Sequence, residues 1–295
     1  MSCSSSPHLN LAALCVAFIC SAAMAASPPP PAASPRPAQN PRYELIDVGS
    51  LGGLVTTAKH VNDFGEVIGT ANTADNLSMH AYLWRDGQLE DLGTLGGNSS
   101  QGIKINNRGQ AVGNNFNFNT PNFSSAFLYR NGQTQILPFD IAYAVNLQNQ
   151  VVGQLTLPNP DPRGSQNSWV AVLYENGVLT QLGIFPGGSY SSAHDINNRG
   201  EIVGGSATDG FEGEHAYVYR DGKMIDLGTL GGSTSSADAI NALGHITGGA
   251  ELSDGQAHAF LYRNGHMIDL GTVGTDPSTV GEGINDEDPI HWPLT

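Results

Sequence analysis

Charge, cations and cysteine are what this chain has little of. About 13% of its 295 residues are charged, roughly half the share of about 25% in an ordinary soluble domain. Lys and Arg number 12 against 27 Asp and Glu, a formal charge of -15. That balance argues against nucleic acid as a partner and supplies no polybasic patch for an anionic membrane. The cysteines are Cys3, Cys15 and Cys20. All three lie in an N-terminal leader, so the mature chain is read as free of disulfides, cysteine-ligated metal and cysteine nucleophiles. Beyond that leader no apolar run reaches the ~20 residues of a membrane helix. No window of about a dozen residues carries helical periodicity. Gly-x-Ser-x-Gly, His-Glu-x-x-His, a phosphate-binding Gly-Lys-Ser/Thr loop and an EF-hand loop are also missing, and neither a cofactor nor a metal is expected.

The leader itself is informative. Leu11 to Ile19 is an apolar run too short to span a bilayer, and Ala23-Met24-Ala25 is a small-x-small cleavage pattern. Residues 1–25 therefore read as a secretory signal peptide, although Met1 to Asn10 lacks the usual Lys or Arg. Residues 26–42 are a proline-rich linker, extended by its composition. Residues 43–295 are the repeat domain. The address is extracytoplasmic: periplasm, cell surface or medium.

What the chain does have is glycine, 37 residues of it, and the glycine is periodic. Asp47-Val-Gly-Ser-Leu-Gly-Gly returns as Asp91-Leu-Gly-Thr-Leu-Gly-Gly, Gln181-Leu-Gly-Ile-Phe-Pro-Gly-Gly, Asp226-Leu-Gly-Thr-Leu-Gly-Gly and a decayed Asp269-Leu-Gly-Thr-Val-Gly-Thr. The period is about 45 residues. Each unit then carries an apolar-Asn pair (Val61-Asn62, Ile105-Asn106, Val145-Asn146, Ile196-Asn197, Ile240-Asn241, Ile284-Asn285). Gly, Asn149 or Asp288 stands three places after that Asn. These are the residues that tolerate positive φ, so the position is a hairpin turn capped by the recurring Asn side chain. A segment such as Glu201-Ile-Val-Gly204 follows, then a loop of variable length. The next segment is His80-Ala-Tyr-Leu-Trp-Arg85, matched by Ser125-Ala-Phe-Leu-Tyr-Arg130, Trp169-Val-Ala-Val-Leu-Tyr174, His215-Ala-Tyr-Val-Tyr-Arg220 and His258-Ala-Phe-Leu-Tyr-Arg263. Each of these ends in Asp-Gly or Asn-Gly within two residues, the signal of a two-residue hairpin.

Four short strands per unit, joined in sequence, make an antiparallel meander. Repeated five times, this is the pattern of an all-β propeller, whose blades cover one another's faces. The expected ring has five complete four-stranded blades. An incomplete sixth would be closed by strands at Tyr43–Val48 and Val280–Asn285, with a weak further strand near Ile290–Trp292. The recurring His-Ala-Phe/Tyr, with Asp-Leu-Gly-Thr-Leu-Gly-Gly between units, resembles the HAF-type extracellular repeat of bacterial proteins. The likeness covers about residues 43–285. It implies a secreted or surface propeller-like domain and no defined activity. The third unit departs from it, lacking both the glycine-rich connector and the His.

Equivalent positions that stay the same are read as structural. His80, His215 and His258 pack blades with a backbone hydrogen bond, Asp47, Asp91, Asp226 and Asp269 each make one structural hydrogen bond, and the repeated Arg forms a solvated rim. Function is sought where equivalent positions differ. The two residues before each apolar-Asn pair, expected to line the central channel, are Lys59-His60, Ile103-Lys104, Tyr143-Ala144, His194-Asp195, Asp238-Ala239 and Glu282-Gly283. From these, Lys59, His60, Lys104, His194, Asp195, Asp238 and Glu282 are candidate ligand-binding residues. Phe116, Phe118, Trp169 and Phe211 are added from the variable loops, which fall on the face opposite the hairpin turns. The expected function is a non-enzymatic binding scaffold for an extracellular glycan or protein. The alternative is a carbohydrate-active hydrolase or lyase that uses His194, Asp195 and Glu282 for acid–base chemistry.

Overall fold

The computed structural model describes residues 45–117, 124–158, 168–208, 213–272 and 278–286. Residues 1–44, which include the segments read as signal peptide and linker and Tyr43, lie outside the described residues, as do Phe118, Phe211 and Ile290–Trp292. Blade 1 is β1 (Gly52–Val61), β2 (Val67–Thr73), β3 (Met79–Arg85) and β4 (Gln88–Asp91). Blade 2 is β5 (Ser99–Ile105), β6 (Ala111–Phe116), β7 (Ser124–Arg130) and β8 (Gln133–Ile136). Blade 3 is β9 (Ile141–Val145), β10 (Val151–Leu157), β11 (Ser168–Glu175) and β12 (Val178–Gly183). Blade 4 is β13 (Ser191–Ile196), β14 (Ile202–Ala207), β15 (Glu214–Arg220) and β16 (Lys223–Gly228). Blade 5 is β17 (Gly231–Ile240), β18 (Ile246–Leu252), β19 (Ala257–Arg263) and β20 (His266–Asp269). Each sheet pairs its strands in sequence order and antiparallel, so each is the expected meander.

The turns follow from their residues. Asp86-Gly87, Asn131-Gly132, Asn176-Gly177, Asp221-Gly222 and Asn264-Gly265 all have positive φ at both positions, the signature of a type I′ hairpin. In the other hairpin the left-handed position is Gly65, Gly109, Gly200 or Gly244, and Asn149 takes it in blade 3 with φ of 67°. The recurring Asn caps that turn as expected and does more. Asn197 Oδ1 accepts from the backbone N–H of Arg199 and Glu201, while its Nδ2 donates to Glu201 Oε2 and to the Asn241 carbonyl of the next blade. Asn62, Asn106, Asn146 and Asn241 repeat the inter-blade bond.

One glycine per blade is dictated by close approach. A Cβ at Gly69, Gly113, Gly153, Gly204 or Gly248, each in the second strand, would sit 1.9–2.1 Å from a first-strand carbonyl oxygen. That crowding goes with a β-bulge in every first strand. Gly204 pairs with Ala193 and Val203 with Asp195, leaving His194 as the extra residue. The same reading makes Lys59, Ile103, Tyr143 and Asp238 the bulged residues of the other blades.

The core lies between sheets. Four apolar clusters join blades 1–2, 2–3, 3–4 and 4–5. A Ser adds a polar stitch. Ser100, Ser191 and Ser235 each accept an N–H from the third strand of the preceding blade through Oγ and donate to that blade's connector glycine carbonyl. Blade 3, without the glycine-rich connector, replaces the stitch. Leu137 and Phe139 are buried and exchange backbone hydrogen bonds with Ala126, and the Phe139 ring lies over Gly153.

Several expectations need correcting. His80, His215 and His258 bond a carboxylate, not backbone: Nδ1 lies 2.8–2.9 Å from Asp91, Asp226 and Asp269. Each of these aspartates also accepts the N–H of the glycine two places on. Arg85 is no solvated rim residue, since it bonds Glu90 and the Tyr129 hydroxyl of blade 2. In blade 3 the third-strand match shifts by one: Val170, not Trp169, takes the His80 place, because Ala171 pairs one residue past the second-strand glycine as Ala81 does. At the ends, Leu45–Ser50 forms no strand and leaves Leu45 and Ile46 exposed. Residues 280–285 also form no strand, yet the segment docks on blade 5 through the bonds of a first strand. Thr279 Oγ1 accepts from Ala259 N and donates to the Gly271 carbonyl, and the Asn285 carbonyl accepts from Asn241.

Candidate functional site

The bulge aims the variable residues. An extra residue in one strand turns a side chain away from the sheet normal and tightens the local twist, a device common beside binding sites. The first strands of successive blades are neighbours, so their bulges face a shared axial space. Two tiers of side chains meet there.

The lower tier lies near the Asn-capped turns. Lys104 of blade 2 reaches Asp195 of blade 4, Nζ to Oδ1 at 2.6 Å. The Asp195 carboxylate is buried and also accepts the backbone N–H groups of Ile196 and Ile240. His60 stands close enough to feel both charges: burial first, then Lys104, lower its pKa against the opposing pull of Asp195. Its Nδ1 is shielded from solvent and has no hydrogen-bond partner among the described residues. Below the pair opens a hollow of about 180 Å³ lined by Asn106, Asn107, Asn146, Asn197, Asn198 and Asp286, among others. Lys104 and Asp195, expected as separate ligand-binding residues, thus spend their charges on each other in an ion pair whose carboxylate is buried.

The upper tier joins the bulged residues of blades 3, 4 and 5. The Tyr143 and His194 rings meet edge to face at 5.5 Å. His194 Nδ1 lies 3.0 Å from the Ala237 carbonyl and 3.5 Å from Asp238 Oδ1, and Nε2 lies 2.8 Å from Ser192 Oγ. Tyr143 donates to Gln154 Oε1 at 3.3 Å. Burial alone lowers the His194 pKa, but the Asp238 hydrogen bond and charge, with the Ala237 carbonyl, outweigh it and hold the imidazole above its ordinary value. Burial raises Tyr143. A raised His contributes stability below about pH 6.5, and that contribution is lost as pH rises through its folded value. Urea denaturation of wild type and His194→Gln checks this. The stability difference between them should be larger near about pH 5.5 than near about pH 8.5, since other histidines titrate alike in both proteins and cancel.

The loop face carries a separate group. Trp169 at the start of β11 lies against Tyr190 of the following connector, ring centroids 4.8 Å apart and tilted by 33°. Burial, then the charge of Glu214 and a hydrogen bond to it, raise the Tyr190 hydroxyl pKa. Tyr190, Glu214 and Trp169 therefore stand together where blades 3 and 4 meet. Phe116 ends β6 on the same face, and its carbonyl accepts from Asn98.

The candidate residues thus divide. His60, Lys104 and Asp195 come together in the lower tier, and His194 and Asp238 in the upper. Lys59 is exposed and lines a separate hollow of about 330 Å³ between blades 1 and 2 with Val55, Thr57, Asn72 and Gln101. Glu282 is exposed, and among the described residues no contact joins it to His194 or Asp195. Tyr190, Ser192 and Gln154 were missed as site residues. The signal for Ser192 was the Ser-Ser pair that opens β13 and returns as Ser235-Ser236 in blade 5. Tyr190 occupies the last connector position, directly before that pair.

No family model matches the sequence and no curated protein matches it, so the likeness to the HAF repeat rests on the quoted motifs alone. Among solved structures, similar chains include one described as a β-propeller domain. The β-propeller domain of the Trilobed protease from Pyrococcus furiosus is 11% identical with a TM-score of 0.46, over 70% of this chain and 64% of that one. A puromycin-hydrolyzing peptidase of Mycobacterium tuberculosis is 10% identical with a TM-score of 0.46, over 71% of this chain and 35% of that one. AofleA from Arthrobotrys oligospora is 12% identical with a TM-score of 0.36, over 78% and 76%. The chain spans less than two thirds of the first two proteins. The fold defined here is an all-β protein of five four-stranded antiparallel sheets, of β-propeller type.

Proposed function

We propose that this chain is a secreted or envelope binding scaffold, non-enzymatic, whose loop face takes an extracellular glycan. The observation that carries the reading is the Trp169–Tyr190 pair beside Glu214. Aromatic faces stack on the C–H surface of a sugar ring, and a neighbouring carboxylate accepts from its hydroxyls. The charges of the lower tier support a structural channel, because Lys104 and Asp195 neutralise each other and leave no exposed acid–base pair. The leader and the HAF-type motifs support the extracytoplasmic address.

A glycan-array screen of residues 27–295 tests the proposal. One or more glycans should bind, and Trp169→Ala and Tyr190→Ala should each weaken that binding at least about tenfold, the loss of roughly 1.4 kcal/mol. Retained affinity in both variants would place the ligand elsewhere, and Phe116 and the loops carrying Phe118 and Phe211 are the next to be changed.

One arrangement favours a second reading, a hydrolase or lyase. Ser192 Oγ, His194 and Asp238 stand in a row, and Asp195 is adjacent. That reading predicts turnover on a polysaccharide panel that disappears in His194→Ala and in Asp238→Asn. A panel without turnover leaves only binding.

We further propose that the five sheets fill five of six positions in a ring. The sixth position would hold a partial blade, with its first strand from residues 280–285 and its fourth from residues 43–48. The docking of Thr279 and Asn285 on blade 5 supports this, since it repeats the hydroxyl stitch of blades 2, 4 and 5 and the Asn bond that every blade makes to the next.

A further inference from the structure

Across blades 3, 4 and 5 the bulged residues Tyr143, His194 and Asp238 meet in turn. Their equivalents Lys59 and Ile103 instead line the hollow of about 330 Å³ between blades 1 and 2. Its walls are described strands, β1, β2 and the start of β3 on one side and β5 on the other. The volume falls within the range of small-molecule sites, about 300–1,000 Å³. The polar groups of this hollow are unspent. The Lys59 ammonium and the Asn72 and Gln101 carboxamides make no hydrogen bond or ion pair among the described residues, and the two carboxamides are half-buried. Thr57 donates to the Thr70 carbonyl and keeps its own acceptor oxygen. Val55 and Ile103 supply an apolar wall. Between blades 4 and 5, Tyr190, His194 and Glu214 hold the places of Val55, Lys59 and Met79. There the groups satisfy one another: Glu214 bonds the Tyr190 hydroxyl, and His194 reaches Ala237 and Asp238. A hollow of about 320 Å³ on blade 5 carries Glu214 and Glu251, whereas among the described residues no carboxylate lines the one beside Lys59. In a chain of formal charge -15, that is a local reversal of sign.

We propose that this hollow is a separate binding site that takes an acidic sugar, a hexuronate unit whose carboxylate pairs with Lys59. A carboxamide donates and accepts at once, as ring hydroxyls do, so Asn72 and Gln101 suit a polyhydroxylated ring. The C–H face of that ring lies on Val55 and Ile103. An apolar acid would cover the two carboxamides without bonding them, and polar groups buried unpaired weaken binding. A neutral sugar would leave the Lys59 charge unanswered. The Trp169–Tyr190 pair belongs to blades 3 and 4, so the inference does not rest on the loop-face reading.

Calorimetric titration of the protein with methyl glucuronide and with methyl glucoside tests this, since the two differ only in a carboxylate for a hydroxymethyl group. Saturable binding of the glucuronide is expected, at least about tenfold tighter than that of the glucoside. Lys59→Met keeps an apolar stem and removes the charge, so it should bring the two sugars within about twofold of each other. Gln101→Ala should weaken both sugars several-fold, and Trp169→Ala should change neither. Thermal denaturation checks that each variant folds. No saturable binding, equal affinity for the two sugars, or a preference that survives in Lys59→Met would overturn the inference. Acetate binding as tightly as the glucuronide would mean a plain anion site and overturn it as well. Loss of glucuronide binding in Trp169→Ala would put the acid on the loop face, which sinks this inference and leaves the glycan reading standing.

Discussion

Gly204→Ala is expected to unfold the protein or to cost about 3 kcal/mol or more, because overpacking against backbone cannot be relieved by a rotamer change. The new Cβ would stand 2.0 Å from the Ser192 carbonyl oxygen and about 3.0 Å from the Ser192 carbonyl carbon and Ala193 Cα. All three are backbone atoms of the bulged strand, so the bulge that aims His194 would have to open. The control is Gly222→Ala. That glycine has φ of +73° with nothing within 4 Å of its would-be Cβ, and the substitution should cost only about 1 kcal/mol of left-handed strain. Thermal denaturation separates the two. In a domain of this size about 1 kcal/mol moves the midpoint by roughly 2–4 °C, so the Gly204 variant should fall several times further. Similar losses for both would show that the bulge relaxes.

Asn197→Ala should be nearly as damaging, at about 3 kcal/mol. It removes both acceptor bonds to the turn amides of Arg199 and Glu201 and the donor bond to the Asn241 carbonyl. Buried groups left unsatisfied cost about 1–3 kcal/mol each before water reaches them. Glu201 is held ionised below the usual carboxylate range; burial opposes this, but the bonds from Asn197 and Arg199 prevail. Asn197→Asp keeps the acceptor oxygen yet sets a second carboxylate 2.6 Å from Glu201 Oε2, so it should not rescue stability at neutral pH. Denaturant midpoints of the two variants decide this. If Asp restores the wild-type midpoint, the cap matters and the inter-blade donor does not.

Much of the fold was legible because its determinants are local. Asp86-Gly87 demands a turn with two left-handed residues whatever surrounds it, and Asn149 replaces glycine at the positive-φ position of the Asn-capped turn. The alternation of Ala, Leu and aromatic residues in His258-Ala-Phe-Leu-Tyr marks a strand buried on both sides. Blade 3 shows where local reading stops. Matching Trp169 to His80 was natural on aromatic character, but register is set across strands, by the pairing of Gly153 with Val172. Its core was equally hidden: Leu137 keeps the place of Leu92, but Phe139 stands in a short connector that lacks the glycines of the other units.

The candidate site was legible in part. The choice of His60, Lys104, His194, Asp195 and Asp238 followed from their variability at equivalent positions, and these are the residues that converge. Which of them touch was not readable. Lys104 and Asp195 lie 91 residues apart and meet only because the bulges of blades 2 and 4 turn toward one axis. Trp169 meets Tyr190 because a connector crosses from one blade to the next.

By itself, then, the amino-acid sequence determined the unit: four strands, two kinds of hairpin and a glycine-rich link, returned about every 45 residues. These depend on φ preferences and side-chain alternation, which each segment carries with it. Tertiary structure alone decided what the units build between them. It put Asp195 against Lys104 and clamped His194 between Ser192 and Asp238. Those outcomes depend on how far each sheet is rotated from the last and on which surface its neighbour covers, and no single repeat encodes either.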